Sequence, residues 1–574
     1  MSRSRILKYG LLIAMGIIAI RLFVIQILQH NMWEERADAE HMVQNTIVAE
    51  RGEIYMMDND EPVKVVMNTS AYTVIVDPMV ADEEKVSKTI SSIAPDKVIA
   101  KWEDVFKDKS RRYYIVARNV TRQEAKKMKE EALAGVWYRE GNARVYAEGE
   151  MASSLLGFVN ADGEGQYGVE GSLNKQLAGK NGLLKTVTDV NNVALSIGDD
   201  NVRVPAEDGK DVVLTIDRTM QAKVEKQLAD YLTRIPANHA SAVVMDPRDG
   251  KILTMATVPN YDPAKYSEVK DASVYQNQIT EVAYEPASIC KTFTFAAAIE
   301  EGVMTPNTLY NNTGEIIVDG WPIKNAYSGQ LGVITMQTAL NFSLNTGSMT
   351  ALMLLGGSNT EITKTGREKL YDYYYNHFGL GQATGIELYE ATGLIVGPND
   401  GYGLNSRYAN MTFGQNINLT PLQVASAFSS LVNGGEYYQP TIIAGEMRED
   451  GVFIPAEEKP AVRRVVSEQT SQTMREMTWG TRVSQRTYGI DKPGYYIGGK
   501  TGTAQGIKNG AYTFDETTAS YVGFGGTEGE MPEYVIMVKI WESGQKLEGT
   551  AHALPLFNEL SDVVSDHLQI RPKE

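Results

Sequence analysis

A chain of 574 residues, 43% of them hydrophobic, has material for a sizeable core and is long for one domain, so two or more folded units are expected and disorder is not. A formal net charge of −17 with no basic tract excludes a nucleic-acid binder that works by neutralising phosphates. One cysteine, Cys290, excludes an internal disulfide, and six scattered histidines with no zinc-type spacing predict no metal centre.

From Tyr9 to Leu28 the chain is almost wholly apolar, broken by Arg21 and Gln26, and about twenty residues are what a helix needs to cross a bilayer. The small-x-small candidate for cleavage, Ala14-Met-Gly16, lies in mid-run and is followed by bulky residues, which favours a retained anchor over a cleaved signal peptide. Arg3, Arg5 and Lys8 precede the run, while Glu34, Glu35, Asp38 and Glu40 follow it. That asymmetry predicts a single-pass protein of the cell membrane with its N-terminus in the cytoplasm and its body outside.

Residues 31–210 form a first exported region, with short alternating segments such as Tyr72–Val76 and Tyr113–Ala117 between charged helical stretches. Arg51-Gly-Glu-Ile54, Arg144-Val-Tyr146 and Gly168-Val-Glu170 are expected there as scaffold. A polar seam, Asp199–Lys210, precedes a strand over Asp211–Ile216 and a helix over Thr219–Leu232, where Met220, Val224, Leu228 and Leu232 recur at i, i+4. Ala242–Met245 and Ile252–Ala256 flank Asp246-Pro-Arg-Asp-Gly250, a hairpin signal. Helices are expected through Tyr375, and strands again after about residue 495. The fold class is therefore α+β: an anchor over 1–30, a pedestal-like region over 31–210, and over 211–574 a domain of helices packed on a mainly antiparallel sheet.

The chemistry is expected in Tyr284–Gly302. Pro286 suits a first helical turn, the Ala- and Phe-rich run reads as a buried helix, and Gly302 stops it. Ser288 then stands at the helix N-terminus and Lys291, at i+3, projects from the same face within reach of its hydroxyl. A lone lysine held inward by an apolar helix has its pKa depressed and becomes a usable base for a serine nucleophile. Cys290, two positions past Ser288, is expected to point into the core.

Ser-x-x-Lys alone is cheap, since it starts at Ser172, Ser267, Ser288 and Ser543. A serine acyl-transfer site also needs a proton shuttle and a donor for a substrate carboxylate. Ser-x-Asn occurs at Ser172 and Ser343, and Lys-Thr-Gly at Lys364 and Lys500. The Lys364 copy reads as a solvated helical face. The Lys500 copy, between Tyr495-Tyr-Ile-Gly-Gly499 and Ser520-Tyr-Val-Gly-Phe524, fits a hairpin strand lining a cleft.

The order Ser288-x-x-Lys291, Ser343-x-Asn345, Lys500-Thr501-Gly502 resembles the penicillin-binding proteins, the serine transpeptidases that cross-link peptidoglycan. Tyr284-Glu-Pro286, Gly414-Gln415, Thr420-Pro-Leu-Gln423, Asn433-Gly-Gly435 and Gly498–Ala504 look like further blocks of that family. The first exported region resembles the pedestal (dimerisation-like) domain of the class B, monofunctional members, and Asn345-Thr-Gly347 is closer to the division-type branch than to the elongation-type. The resemblance implies a D,D-transpeptidase that acts on peptidoglycan stem peptides of lipid II-derived strands and binds β-lactams, with no cofactor. Its partners would be a polytopic membrane glycosyltransferase and division proteins. It implies Ser288 as nucleophile, Lys291 as base, Ser343 as proton relay and Asn345 as a hold on the stem's amide and on Lys291. It further implies that Lys500, Thr501, Gly502 and Thr503 form the carboxylate-binding strand, and that the N–H groups of Ser288 and Thr503 form the oxyanion hole.

The chain departs from the common Gly-Ser-Thr-Phe-Lys by reading Ala287-Ser-Ile-Cys-Lys291, which alters the wall beside the nucleophile and no catalytic group. The penicillin-binding-associated repeats of some relatives are not expected after the last helix. Gly494–Thr501 formally satisfies a P-loop, but the turn-rich Gly502–Gly510 does not open the helix that a phosphate loop needs. No Gly-x-Ser-x-Gly elbow occurs. An elongation-type transpeptidase, a β-lactam sensor or β-lactamase-like protein, and a non-catalytic divisome scaffold share the fold and stand as alternatives.

Overall fold

The computed structural model describes residues 3–30, 32–33, 42–107, 111–187, 202–327, 329–402, 404–485, 492–508, 511–542 and 544–573. The acidic flank from Glu34 to Glu40, the start of the polar seam at Asp199–Asn201 and Ser543 lie outside them. The chain divides into two compact units, Met1–Arg51 with Ala178–Gly209, and Gly52–Leu177 with Lys210–Glu574.

In the first unit a helix over Arg3–Phe23 continues as a π-type turn, Val24–Leu28. Its apolar span, Ile6–Leu28, has a mean hydropathy of 2.6, and none of its residues is buried in the protein. Met42–Ile47, Gly182–Val187 and Val202–Val204 form a three-stranded antiparallel sheet in the same unit.

The second unit holds two large sheets. The first is built around the long strand Glu61–Val76, which pairs with Ile54–Asp58 through a turn at Asn59 (φ 57°) and with both Tyr114–Thr121 and Val136–Tyr146. Ile54–Asp58 pairs in parallel with Asp211–Asp217, which in turn pairs with Ile443–Met447. Segments on both sides of the expected seam at residue 210 thus share one sheet. The scaffold reading holds for Arg144, whose guanidinium meets the Glu170 carboxylate at 2.7 Å and Asn68 Oδ1 at 2.9 Å, both acid and base buried.

The second sheet has five strands, all antiparallel, in the order Ile252–Val258, His239–Met245, Tyr534–Trp541, Ala511–Gly525, Gly498–Lys508. Alternation splits Tyr534–Trp541 between two cores. Tyr534, Ile536, Val538 and Ile540 pack with Met220, Val224 and Leu228 of helix Arg218–Leu232 and with Leu556, Phe557 and Leu560 of helix Leu554–His567. Val535 and Met537 face the core shared by helices Cys290–Glu300, Asn345–Leu355 and Pro421–Val432. Gly498–Lys508 is left at the edge.

Two expectations are corrected. Residues 309–327 and 329–335 are not helical: Leu309–Asn312 pairs with Gly332–Thr335, and Glu315–Val318 with Trp321–Lys324 around Asp319-Gly320, whose φ values of 52° and 82° are those of a tight hairpin turn. The stretch after Lys500 is strand through Lys508, not turn, because Gly502–Gln505 pairs with Thr517–Ser520.

Candidate active site

Ser288 lies in a 3-10 turn, Ala287–Ile289, that leads directly into the helix Cys290–Glu300. The turn is entered through Ala287 at φ 51°, a left-handed conformation held by a hydrogen bond from Ala287 N to Gly414 O at 3.2 Å. A Cβ on Gly414 would stand 2.1 Å from the Ala287 carbonyl oxygen, so the glycine of the Gly414-Gln415 block permits this close approach.

Lys291 is 1% exposed. Its amine lies 3.0 Å from Ser288 Oγ, 2.5 Å from the Ser343 carbonyl and 3.1 Å from Ser343 Oγ. Burial, then the charge of Lys500, holds its pKa well below the usual lysine value, as a proton acceptor for Ser288 requires. Ser343, at φ 54°, sits between helices Met336–Asn341 and Asn345–Leu355. Its Oγ also receives the amine of Lys500 at 3.0 Å, so one hydroxyl bridges two lysines.

Lys500 is fully buried on the edge strand, where its amine also bonds Thr501 O and Oγ1 at 3.2 Å each; burial pushes its pKa down to about 7. Gly502 lies directly against the Ser288 turn: a Cβ there would be 2.6 Å from Pro286 O. Thr503 is exposed, and its hydroxyl accepts from Gly549 N at 2.9 Å. Among the described residues one side of this strand has no sheet partner.

Asn345 is tied differently from expectation. Its side-chain amide donates to Lys324 O at 2.8 Å, because the hairpin strand Trp321–Lys324 reaches the start of its helix, and the Lys291 amine donates to Ser288 and Ser343. The neighbouring Asn325 accepts from Thr346 N at 2.9 Å. These two hairpin residues, together with Gln505, which Gln415 reaches at 2.9 Å, belong to the site and were missed in the sequence. The Asp319-Gly320 turn signal could have revealed the hairpin. Cys290 is fully buried in the core, and burial pushes its thiol pKa up.

The other motif copies are not brought to this place. Ser172 Oγ donates to Gly168 O at 2.7 Å, Asn174 Oδ1 accepts from Gly165 N, and Lys364 pairs with Glu368 on an exposed helix.

A serine hydroxyl held by a buried lysine, a second serine shared between two lysines, and an edge strand alongside define a serine acyl-transfer enzyme. Residues 240–562 match the family model "Penicillin binding protein transpeptidase domain", and residues 46–214 match "Penicillin-binding Protein dimerisation domain". The chain is 31% identical to stage V sporulation protein D of Bacillus subtilis, over 92% of this chain and 79% of that one. It is 27% identical to the peptidoglycan D,D-transpeptidase FtsI of Escherichia coli, over 80% of this chain and 73% of that one. The solved structure of penicillin-binding protein 3 from Mycobacterium tuberculosis, complexed with aztreonam, superposes with a TM-score of 0.67 at 24% identity, covering 92% of this chain and 98% of that one. The chain belongs to the penicillin-binding protein family, among the class B peptidoglycan D,D-transpeptidases.

Proposed function

We propose that the chain cross-links peptidoglycan stem peptides in septal cell-wall synthesis, with Ser288 as the nucleophile. Neutral Lys291 takes the proton of Ser288 as Oγ attacks the carbonyl of the penultimate D-Ala, and Ser343 relays that proton to the leaving amine of the terminal D-Ala. The amine of a second stem then attacks the acyl-enzyme and regenerates Ser288. The backbone N–H groups of Ser288 and Thr503 hold the oxyanion, each worth about 3 kcal/mol to the transition state. Asn345 holds the stem's amide, while Lys500, Thr501, Gly502 and Thr503 receive the terminal carboxylate. A β-lactam enters by the same attack on its ring carbonyl.

The observation that carries this reading is the continuous chain of contacts from Ser288 through Lys291 and Ser343 to Lys500, each link 3.0–3.1 Å. The test is mass spectrometry of the peptide labelled by a fluorescent penicillin: label is expected on Ser288, and label on Ser172, Ser267 or Ser543, or none on folded protein, would sink the proposal.

Residues 31–210 act in this reading as a dimerisation-like pedestal and 211–574 as the transpeptidase domain. The span Ile6–Leu28 anchors the chain with its N-terminus in the cytoplasm, and the partners are a polytopic membrane glycosyltransferase and division proteins. Protease added to intact spheroplasts should digest the body of the chain and leave the N-terminal peptide in the membrane. A septal role predicts a tagged chain at the division site; a tagged chain confined to the side wall would favour the elongation-type reading.

A further inference from the structure

Beneath the nucleophile turn the five-stranded sheet carries a buried polar row that the reaction above does not use. Gly502, Ser520, Lys539 and Ser241 stand in register across four antiparallel strands, and residues in register point to the same face. The parallel row that starts at Lys500 continues through Val522, Met537 and Val243, all in the apolar core. Polar side chains are thus concentrated at the level of Gly502. A Cβ on Gly502 would lie 2.4 Å from Ser520 Oγ as well as 2.6 Å from Pro286 O, so the row begins where the edge strand meets the turn that carries Ser288.

Lys539 is 3% exposed. Its amine donates to Gln278 Oε1 at 3.3 Å and lies 4.4 Å from the centre of the Trp541 ring and 5.5 Å from that of Tyr284, four residues before the nucleophile. The hydroxyls of Ser241, Ser520 and Tyr284 are buried, and among the described residues none has a partner in full hydrogen-bonding geometry, the Ser520 hydroxyl being the one that approaches that of Tyr284. The groups that face the amine are Ser241 and Ser520 from the flanking strands, Trp541 from its own strand, and Gln278 and Tyr284 from the covering segment, none of them a carboxylate. His239 stacks on Trp541 and lies 3.6 Å from Glu542. Burying an amine without a counter-charge is costly, and a methionine of similar length would fill the space without that cost, so the amine is explained by something hydrocarbon cannot supply.

We propose that Lys539 is a positioning residue for acylation: its amine, bonded to Gln278 and in register with Ser241 and Ser520 beneath Tyr284, is the polar centre of a network that sets the spacing between the Ser288 turn and the Lys500–Thr503 strand. A neutral amine can both donate and accept in such a network, whereas an ammonium can only donate. Burial alone holds the Lys539 pKa down to about 7, so the neutral form is available at and above neutral pH.

The experiment measures penicillin acylation rates and melting temperatures of the full chain in detergent for wild type, Lys539→Met, Ser520→Ala and the double variant, from about pH 6 to about pH 8.5, a range that brackets the midpoint of Lys539. Lys539→Met should acylate about tenfold or more slowly at the alkaline end while melting no lower than wild type, because displacement of the turn is penalised in rate and removal of the buried amine is not penalised in stability. The gap should narrow towards pH 6, where the wild-type amine gains its proton, and the double variant should be no slower than the slower single variant. A variant as fast as wild type, a gap that does not change with pH, or a rate loss matched by a loss of melting temperature would each overturn the assignment. If Lys539→Met does not fold, Ser520→Ala is judged by the same rate and melting criteria. The inference rests on the serine-transpeptidase reading, and the two fail separately: wild type unlabelled at Ser288 defeats that reading, whereas labelled wild type with an indifferent Lys539→Met defeats only this one.

Discussion

Gly502→Ala tests whether the spacing between the edge strand and the nucleophile turn governs acylation. The added Cβ would meet Pro286 O at 2.6 Å, where ordinary contact begins at 3.4 Å, so the strand or the turn must yield by about 0.8 Å. Neither neighbour is a flexible tip. Pro286 O is backbone two residues before Ser288, and Ser520 Oγ, 2.4 Å away on the other side, is buried in the adjoining strand. A shift near 1 Å in a positioned catalytic group costs about a hundredfold in rate, equivalent to about 2.7 kcal/mol of barrier. Overpacking of this kind costs about 1–3 kcal/mol of stability, which a domain of this size can bear. The second-order rate of acylation by a fluorescent penicillin should therefore fall about a hundredfold in Gly502→Ala while the protein remains folded by circular dichroism. Acylation within about threefold of wild type would refute the claim that Gly502 sets this spacing.

Lys291→Met should lower acylation about a thousandfold or more by removing the base, with a melting temperature that does not fall, since a buried amine is replaced by hydrocarbon; an active Lys291→Met would mean that another group takes the Ser288 proton. Lys500 contributes to the depressed Lys291 pKa, so Lys500→Met should raise that pKa. Because Lys291 acts when neutral, the acid limb of the residual acylation profile should then move to higher pH, and a limb that stays or moves down would show that the two lysines are not coupled. Cys290→Ala should retain acylation at a cost of about 1 kcal/mol in stability, and native protein should resist thiol reagents. Rapid alkylation of Cys290 that blocks acylation would place its sulfur in the cleft.

Much of the site was legible because its chemistry is local. Ser288 and Lys291 are one helical turn apart, so backbone geometry alone brings their side chains together, and Lys500–Thr503 announces its strand through flanking alternation. Asn345 is legible as a member of the Ser-x-Asn motif, but its tie to Lys324 is not, because it depends on a hairpin of two four-residue strands whose period is too short to stand out. The polar row under the turn was invisible for a different reason. Ser520 and Lys539 face one another across consecutive strands, but Ser241 comes from a strand remote in the chain, and the three meet only through sheet register.

By itself, the sequence determined the apolar span at the N-terminus, the α+β class and the helix that follows Ser288, which come from periodicity within a few turns of chain, and the order of the three motifs, which is read directly. Tertiary structure decided which copies count. It packed Ser172 into a helical turn against Gly168, put Lys364 on a solvated helix, and brought Ser343 within hydrogen-bonding distance of both Lys291 and Lys500. It also lowers the pKa of both lysines. Burial lowers a lysine pKa, and the burial of Lys291 and Lys500 is supplied by helices and strands remote in sequence, so the property that the roles proposed for Ser288 and Lys291 need belongs to the fold.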